Sequence, residues 1–188
     1  MAKLFYVIGA SGVGKDSLLR YAREQIPEKA PVVFSHRYIT RPADAGGENH
    51  VALSQSEFQR RHEQGCFAMN WQSHQNSYGI GIEIDQWLEL GLNVVINGSR
   101  KYLPEADKRY PNLVPVLIST SPGLLRERLT ARGRETQPEI EARLAQAESL
   151  DTQHSHPGLI KIMNDGVLSE AGDELLAVIQ EKEPLVCA

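Results

Sequence analysis

Five apolar residues, Leu4-Phe5-Tyr6-Val7-Ile8, run straight into Gly9-Ala10-Ser11-Gly12-Val13-Gly14-Lys15 and from there into a helix-like segment, Ser17-Leu18-Leu19-Arg20-Tyr21-Ala22. Strand, glycine turn and helix in that order are the setting that gives the spacing Gly-x-x-x-x-Gly-Lys its meaning as a phosphate-binding loop. Three glycines let the backbone curl so that successive N–H groups face one centre, and the helix N-terminus behind them adds partial positive charge. Lys15 then reaches the β- and γ-phosphates of a nucleotide. The plain structural alternative is a strand–helix joint with glycines for tight packing. One departure stands out: the residue after the lysine, usually a Ser or Thr whose hydroxyl binds Mg²⁺, is Asp16, and the hydroxyl comes one later at Ser17.

The chain has 188 residues, enough for one domain with a sizeable core. Its net charge of −4 supplies no global basic field for nucleic acid, so any anion site must be local. Cys66 and Cys187 lie far apart without metal-type spacing, which suits a reducing cytoplasm. No apolar run approaches a membrane span, and the first strand begins too early to leave room for a signal peptide.

Further along, strands are expected at Pro31–Phe34, Phe67–Trp71, Leu92–Asn97, Leu113–Ile118 and Leu159–Met163. Helices are expected from Lys15 to about Ile26, after the capping box Ser54-Gln55-Ser56-Glu57, over Ile84–Leu90, from Ser121-Pro122, after a second capping box Thr136-Gln137-Pro138-Glu139, and from Leu168 to Glu181. Gln72–Gly81, around Tyr78, reads as a turn-rich stretch. Strands alternating with helices imply an α/β fold, a three-layer sandwich with a central parallel sheet. Ligands of such folds bind beyond the C-terminal strand ends, where Ser35, Asn97-Gly98-Ser99 and Thr120 fall beside the glycine loop.

Two further segments carry chemistry. Arg126, Arg128, Arg132, Arg134 and Arg143 surround a glycine-containing joint between two capped helices. A flap carrying arginines would close over a transferring phosphoryl group and exclude water; a solvated helical hairpin with ion pairs is the alternative. Ser35, Arg37, Arg41, Glu48 and His50 form the second group, whose arginine forks suit an acceptor phosphate. Tyr78 is equally a hydroxyl donor to that phosphate or a packing residue. His154 and His156 read as a surface pair near Pro157, and Trp71 and Trp87 as core.

Taken together, these residues resemble the guanylate-kinase-like branch of the nucleoside-monophosphate-kinase folds over nearly the whole chain. Within it they are most similar to kinases of the phosphonate-degradation pathway that act on a ribose bisphosphate. The resemblance rests on Gly9–Ser17 and on Ser35–His50, including Gly47-Glu48-Asn49-His50. It rests also on Tyr78-Gly79, on Val95–Arg100, and on Arg132-Gly133-Arg134-Glu135 with Ile140, Arg143 and Leu144 as a lid. Arg128 and Asn164 are implied to bind the nucleotide, with Asn164-Asp165 near the adenine. Guanylate kinases hold guanine with a glutamate, a serine after the Tyr-Gly pair and aspartates ending a strand. This chain aligns Asn70, Ile80, and Asn97 with Ser99 at those places, and His50 replaces the acceptor-loop tyrosine. A site built to hydrogen-bond a base discriminates strongly once those groups are gone.

What the resemblance implies is a single P-loop kinase domain over 1–188, with an acceptor-binding insertion at about 35–81 and a lid at about 126–145. ATP and Mg²⁺ are implied, with Asp16 on the metal. The implied acceptor is ribose 1,5-bisphosphate, converted to 5-phosphoribosyl 1-diphosphate. Lys15, Arg132 and Arg143 are the implied catalytic set, and Gly9, Ala10, Ser11, Gly12, Val13, Gly14, Lys15, Asp16 and Ser17 hold the nucleotide. Ser35, Arg37, Arg41, Glu48, His50, Tyr78, Asn97 and Arg100 hold the acceptor. The expected partners are small molecules, without nucleic acid or membrane, in a cytoplasmic protein with room for a homodimer. A guanylate or other nucleotide kinase, and a non-catalytic protein-binding module of the same fold, are the alternatives.

Overall fold

The computed structural model describes residues 1–45, 48–73, 75–133, 136–153 and 156–181, with the side chains of 146 and 148–153 left aside. Gly47, Arg134, Glu135, His154 and Cys187 therefore lie outside the described residues. The elements are β1 Leu4–Gly9, α1 Lys15–Gln25, β2 Val32–Phe34, β3 Arg37–Ile39, β4 Val51–Ala52, α2 Gln55–Glu63, β5 Phe67–Ser73, β6 Asn76–Gly81, α3 Glu83–Glu89, β7 Asn93–Asn97, a 3-10 turn Arg100–Tyr102, α4 Leu103–Arg109, β8 Leu113–Ser119, α5 Pro122–Arg132, α6 Gln137–Gln153, β9 Ile160–Met163 and α7 Leu168–Ile179.

The main sheet has the order β2-β7-β1-β8-β9, with β2 parallel to β7 and β8 parallel to β9. Leu4, Phe5, Tyr6, Val7 and Ile8 are each 1% exposed or less, as a strand covered on both faces requires. Helices between the strands make this the expected α/β class with a central parallel sheet.

By its contacts the chain forms two compact units. One comprises Met1–Tyr6 with Pro31–Leu113, the other Val7–Ala30 with Val114–Ala188. In the second, α1 lies on α7: a Cβ at Gly172 would overlap the Tyr21 ring, and the Tyr21 hydroxyl donates to Asp173 at 2.7 Å. Each expected capping box shows one of its two arms: ahead of α6 the Thr136 amide and hydroxyl both donate to the Glu139 carboxylate at 2.7 and 2.8 Å. Ahead of α2 the Ser54 hydroxyl accepts from the Glu57 amide. The cap expected at Ser121 does not form: its side chain makes no capping bond, and its amide instead donates to Asp165 at 2.7 Å.

In the first unit the structure departs most from expectation. Gln72–Gly81 is not a turn-rich stretch; it is the end of β5 and the whole of β6. Strands β4-β3-β6-β5 form a second, four-stranded sheet, antiparallel at β3/β6 and β5/β6 and parallel at β3/β4. Gly79 and Gly81, which read as turn signals, are close-approach residues. A Cβ on Gly79 would stand 2.7 Å from the Phe67 ring, and one on Gly81 would overlap the Glu83 carboxylate. The real turn is the hairpin tip at Gln75, with φ 65°.

Candidate active site

The glycine loop sits in the second unit. Gly12 and Gly14 have φ of 97° and 90°, a region that other L-residues enter only at a cost of about 1–2 kcal/mol. Gly9 serves a different need, since its Cβ would stand 2.6 Å from the Ile118 carbonyl oxygen. Gly14 is the N-cap of α1, and having no side chain it leaves the first-turn amides of the helix uncapped by the residue in that place. Lys15 and Ser17 are half-buried in that first turn and Asp16 is exposed.

Residues far along the chain hold the loop. The Asn164 amide, 3% exposed, donates to the Val13 carbonyl at 2.7 Å, and Arg128 Nη1 donates to the same oxygen at 3.3 Å. Arg128 Nη2 donates to the Asn164 carbonyl at 3.0 Å. Arg128 and Asn164, expected at the nucleotide, are thus engaged with the loop backbone. Arg132 Nη1 stands 3.4 Å from the Ser11 hydroxyl. The α5–α6 hairpin is tied by Arg126, which grips Glu141 through both terminal nitrogens and keeps that carboxyl below the usual range. Arg143, half-buried, lies near Glu139, whose carboxyl is lowered mainly by its bonds to Thr136 and less by that arginine.

The acceptor candidates gather in the first unit. Arg37 Nε and Nη2 both donate to the Glu48 carboxylate, a bidentate pair whose side chains are 13% and 11% exposed. Arg41 Nη2 stands 3.6 Å from the same carboxylate and the Asn97 amide donates to it at 3.4 Å. The buried Nε of Arg41 has no hydrogen-bond partner among the described residues. Below the cluster, the Arg37 guanidinium lies 5.1 Å from the centre of the Tyr78 ring, which stacks on Trp71, and Trp71 meets Tyr102 at a tilt of 35°. Tyr78 is therefore a 9%-exposed platform on β6 rather than a residue of a turn. Trp71 is likewise a stacking member and not merely core.

His50 is buried with both ring nitrogens turned to its own loop, 3.1 Å from the Arg41 carbonyl and 3.0 Å from the Glu48 carbonyl. It braces the segment that carries those two side chains. Ser35, also buried, donates its hydroxyl to the His36 carbonyl at 3.1 Å. Ile80 is 0% exposed and pairs with Arg37 across the β3/β6 ladder, so nothing polar stands at the place aligned with a base-reading serine. Arg100, half-buried, opens the 3-10 turn after β7.

One group escaped the sequence reading, and one bond of a residue it had placed. Tyr6 donates its hydroxyl to the Ser99 carbonyl and accepts from the Ser99 amide, both at 3.0 Å; burial pushes its phenol well above the usual range. Gly98 exists because a Cβ there would overlap the Tyr6 ring. The signal was present, since a tyrosine in an aliphatic strand needs a polar partner. Thr120, at the end of β8, donates to Asp165 at 2.6 Å, and nothing in its neighbourhood announces that bond.

Among the described residues no three His, Cys, Asp or Glu side chains are grouped to hold a metal ion. Asp16 and Ser17, at the head of α1, are oxygen donors of the kind that a phosphate-borne hard cation takes, one or two at a time with water. No helix among the described residues is long and apolar enough to cross a membrane.

An α/β fold whose first strand turns through this loop into a helix, with an arginine of α5 beside it, defines a nucleotide-using phosphotransferase, a kinase. The sequence profile of the guanylate kinase family matches residues 1–182. The chain is 56% identical over 181 residues to ribose 1,5-bisphosphate phosphokinase PhnN of Desulfomicrobium baculatum, covering 96% of each chain. It is 52% identical to that of Thiobacillus denitrificans over 96% of this chain and 94% of the other. With that of Yersinia pestis it shares 50% identity over 98% and 95%. A crystal structure of guanylate kinase from Anaplasma phagocytophilum superposes with TM-score 0.69 at 18% identity, over 99% of this chain and 88% of that one. The protein belongs to the guanylate kinase family, in the branch of these phosphokinases.

Proposed function

We propose that this protein transfers the γ-phosphoryl group of ATP to the 1-phosphate of ribose 1,5-bisphosphate, giving 5-phospho-α-D-ribose 1-diphosphate and ADP. The observation that carries this is the acceptor cluster. Arg37 and Arg41 converge on one carboxylate, and that carboxylate is already taken. Guanidinium forks match phosphates. The N–H groups of guanine are read by carboxylates in guanylate kinases, and the aligned positions here carry none: they hold Asn70, Asn97 with Ser99, and the buried Ile80. The names of the relatives at 50–56% identity support the same acceptor.

The nucleophile is an oxygen of the 1-phosphate, anionic at neutral pH, so no general base is assigned. The barrier is repulsion between two anions, which positioned cations offset. The loop amides and Lys15 hold the β- and γ-phosphates. Arg132 and Arg143 neutralise charge on the transferring group as the 126–145 hairpin closes and excludes water; the approach of Arg132 to Ser11 favours a lid over a solvated hairpin. Mg²⁺ arriving with ATP supplies further charge neutralisation, and Asp16 would hold it directly or through water. Arg37 and Arg41, with Arg100, bind the acceptor phosphates, and Ser35 and Asn97 its sugar. ATP as donor makes the cytoplasm the expected compartment.

The test is a paired acceptor assay. Purified protein with ATP and Mg²⁺ is given ribose 1,5-bisphosphate or GMP, and the product is identified. A diphosphate formed from the sugar, with GMP inert, is expected. Strong turnover of GMP with an inert sugar would refute the assignment.

A further inference from the structure

We infer that Asn164 and Arg128 are positioning residues of the phosphate loop, acting through the Val13 carbonyl and not through the nucleotide base. The inference rests only on the loop being a phosphate site, and deepens that part of the function.

A loop that binds phosphate must turn its N–H groups to the anion, and every carbonyl that faces the same centre repels it. Val13, between the two left-handed glycines, has a carbonyl whose direction matters most. That oxygen receives two donors, Asn164 Nδ2 at 2.7 Å and Arg128 Nη1 at 3.3 Å. The main chain of Asn164 is fixed as well. The residue is buried, its backbone carbonyl accepts from Arg128 Nη2 at 3.0 Å and from Thr120 Oγ1 at 3.3 Å, and its backbone N–H donates to the Ser119 carbonyl at 2.8 Å. The contact is close enough that a Cβ on Gly14 would overlap the Asn164 amide, a second reason for glycine there.

Arg128 also links the loop to the helix that carries Arg132. Leu125, Arg128, Leu129 and Arg132 share one face of α5, at the spacing i, i+3, i+4, i+7. All four meet the loop: the two leucines lie 3.0 Å from a Cβ position on Gly12, Arg128 reaches Val13, and Arg132 reaches Ser11. One helix face thus holds the loop in its anion-ready form and places the arginine that follows it.

The decisive variant is Asn164→Asp, which keeps the shape and turns the Val13 donor into an acceptor. Binding of ATP, of inorganic tripolyphosphate (which has no base) and of ribose 1,5-bisphosphate is measured with Mg²⁺. ATP and tripolyphosphate are expected to weaken together, by about tenfold or more, with the KM for the sugar acceptor unchanged. Arg128→Lys, which cannot span both carbonyls, should do the same to a smaller degree and stands in if Asn164→Asp fails to fold. Loss for ATP alone, with tripolyphosphate unaffected, would make these residues base contacts and overturn the inference, as would unchanged binding of both. Wild-type protein that binds neither ligand would overturn the phosphate-loop reading beneath it.

Discussion

Glu48 is the residue whose removal tells most about the acceptor cluster. Its carboxylate takes the bidentate Arg37 pair, at 11% and 13% side-chain exposure, and has Arg41 3.6 Å away. In Glu48→Ala both guanidiniums keep their place, Arg37 over Tyr78 and Arg41 beside His50, and lose their counter-charge. Stripping one partner from a buried ion pair costs about 3–5 kcal/mol, and the residual exposure of this pair puts the expected loss near the lower figure. For a chain of this size each kcal/mol lowers Tm by about 2–4 °C, so a fall of roughly 6–12 °C is expected. Glu48→Gln, which keeps one acceptor oxygen, should lose about half as much. The vacated place is left facing two unpaired guanidiniums and so suits an anion, and inorganic phosphate should raise the Tm of Glu48→Ala more than that of wild type. Thermal melts with and without phosphate read both effects. A Tm within about 1 °C of wild type would refute the reasoning, because it would make the pair an ordinary solvated one worth about 0–1 kcal/mol.

Two further outcomes follow from the loop and its supports. Asp16→Ser should retain activity, while Asp16→Ala should lose activity and require more Mg²⁺ for half-maximal rate; a Mg²⁺ titration with equal, near-wild-type curves for both would remove Asp16 from the metal. Asp165 has its carboxyl lowered by bonds from Thr120 and from Ser121, so its contribution to stability is present above the ordinary carboxylate pKa and lost as pH falls through its folded value. Asp165→Asn should therefore be less stable at neutral pH, by a margin that closes in acid-unfolding curves as pH falls through and below the ordinary carboxylate range; a constant margin would refute the linkage.

The local chemistry of this chain was legible in its residues. Gly12 and Gly14 announce left-handed backbone, an uninterrupted apolar run announces a doubly covered strand, and Ser54 and Thr136 with their partners three residues on announce helix starts. Each is settled within a few residues by sterics and hydrogen bonding, so sequence alone determined the loop, the α/β alternation and the helices that frame it. The residues of the acceptor cluster were also visible as types, Arg37, Arg41, Glu48 and His50 in one short segment. What each does was not. That Glu48 pairs with Arg37 shows only once β3 and its following loop are in place, and Tyr78 reads as a turn residue until β3 and β5 pair on either side of β6. Gly79 and Gly81 misled because glycine marks both a turn and a close approach, and only the Phe67 ring and the Glu83 carboxylate show which. The contact between Asn164 and Val13 joins residues 151 apart, and that between Asn97 and Glu48 residues 49 apart. No local preference encodes such pairs. They exist because strands and helices already formed bring them within hydrogen-bond reach, and burial then makes leaving either partner unsatisfied too costly.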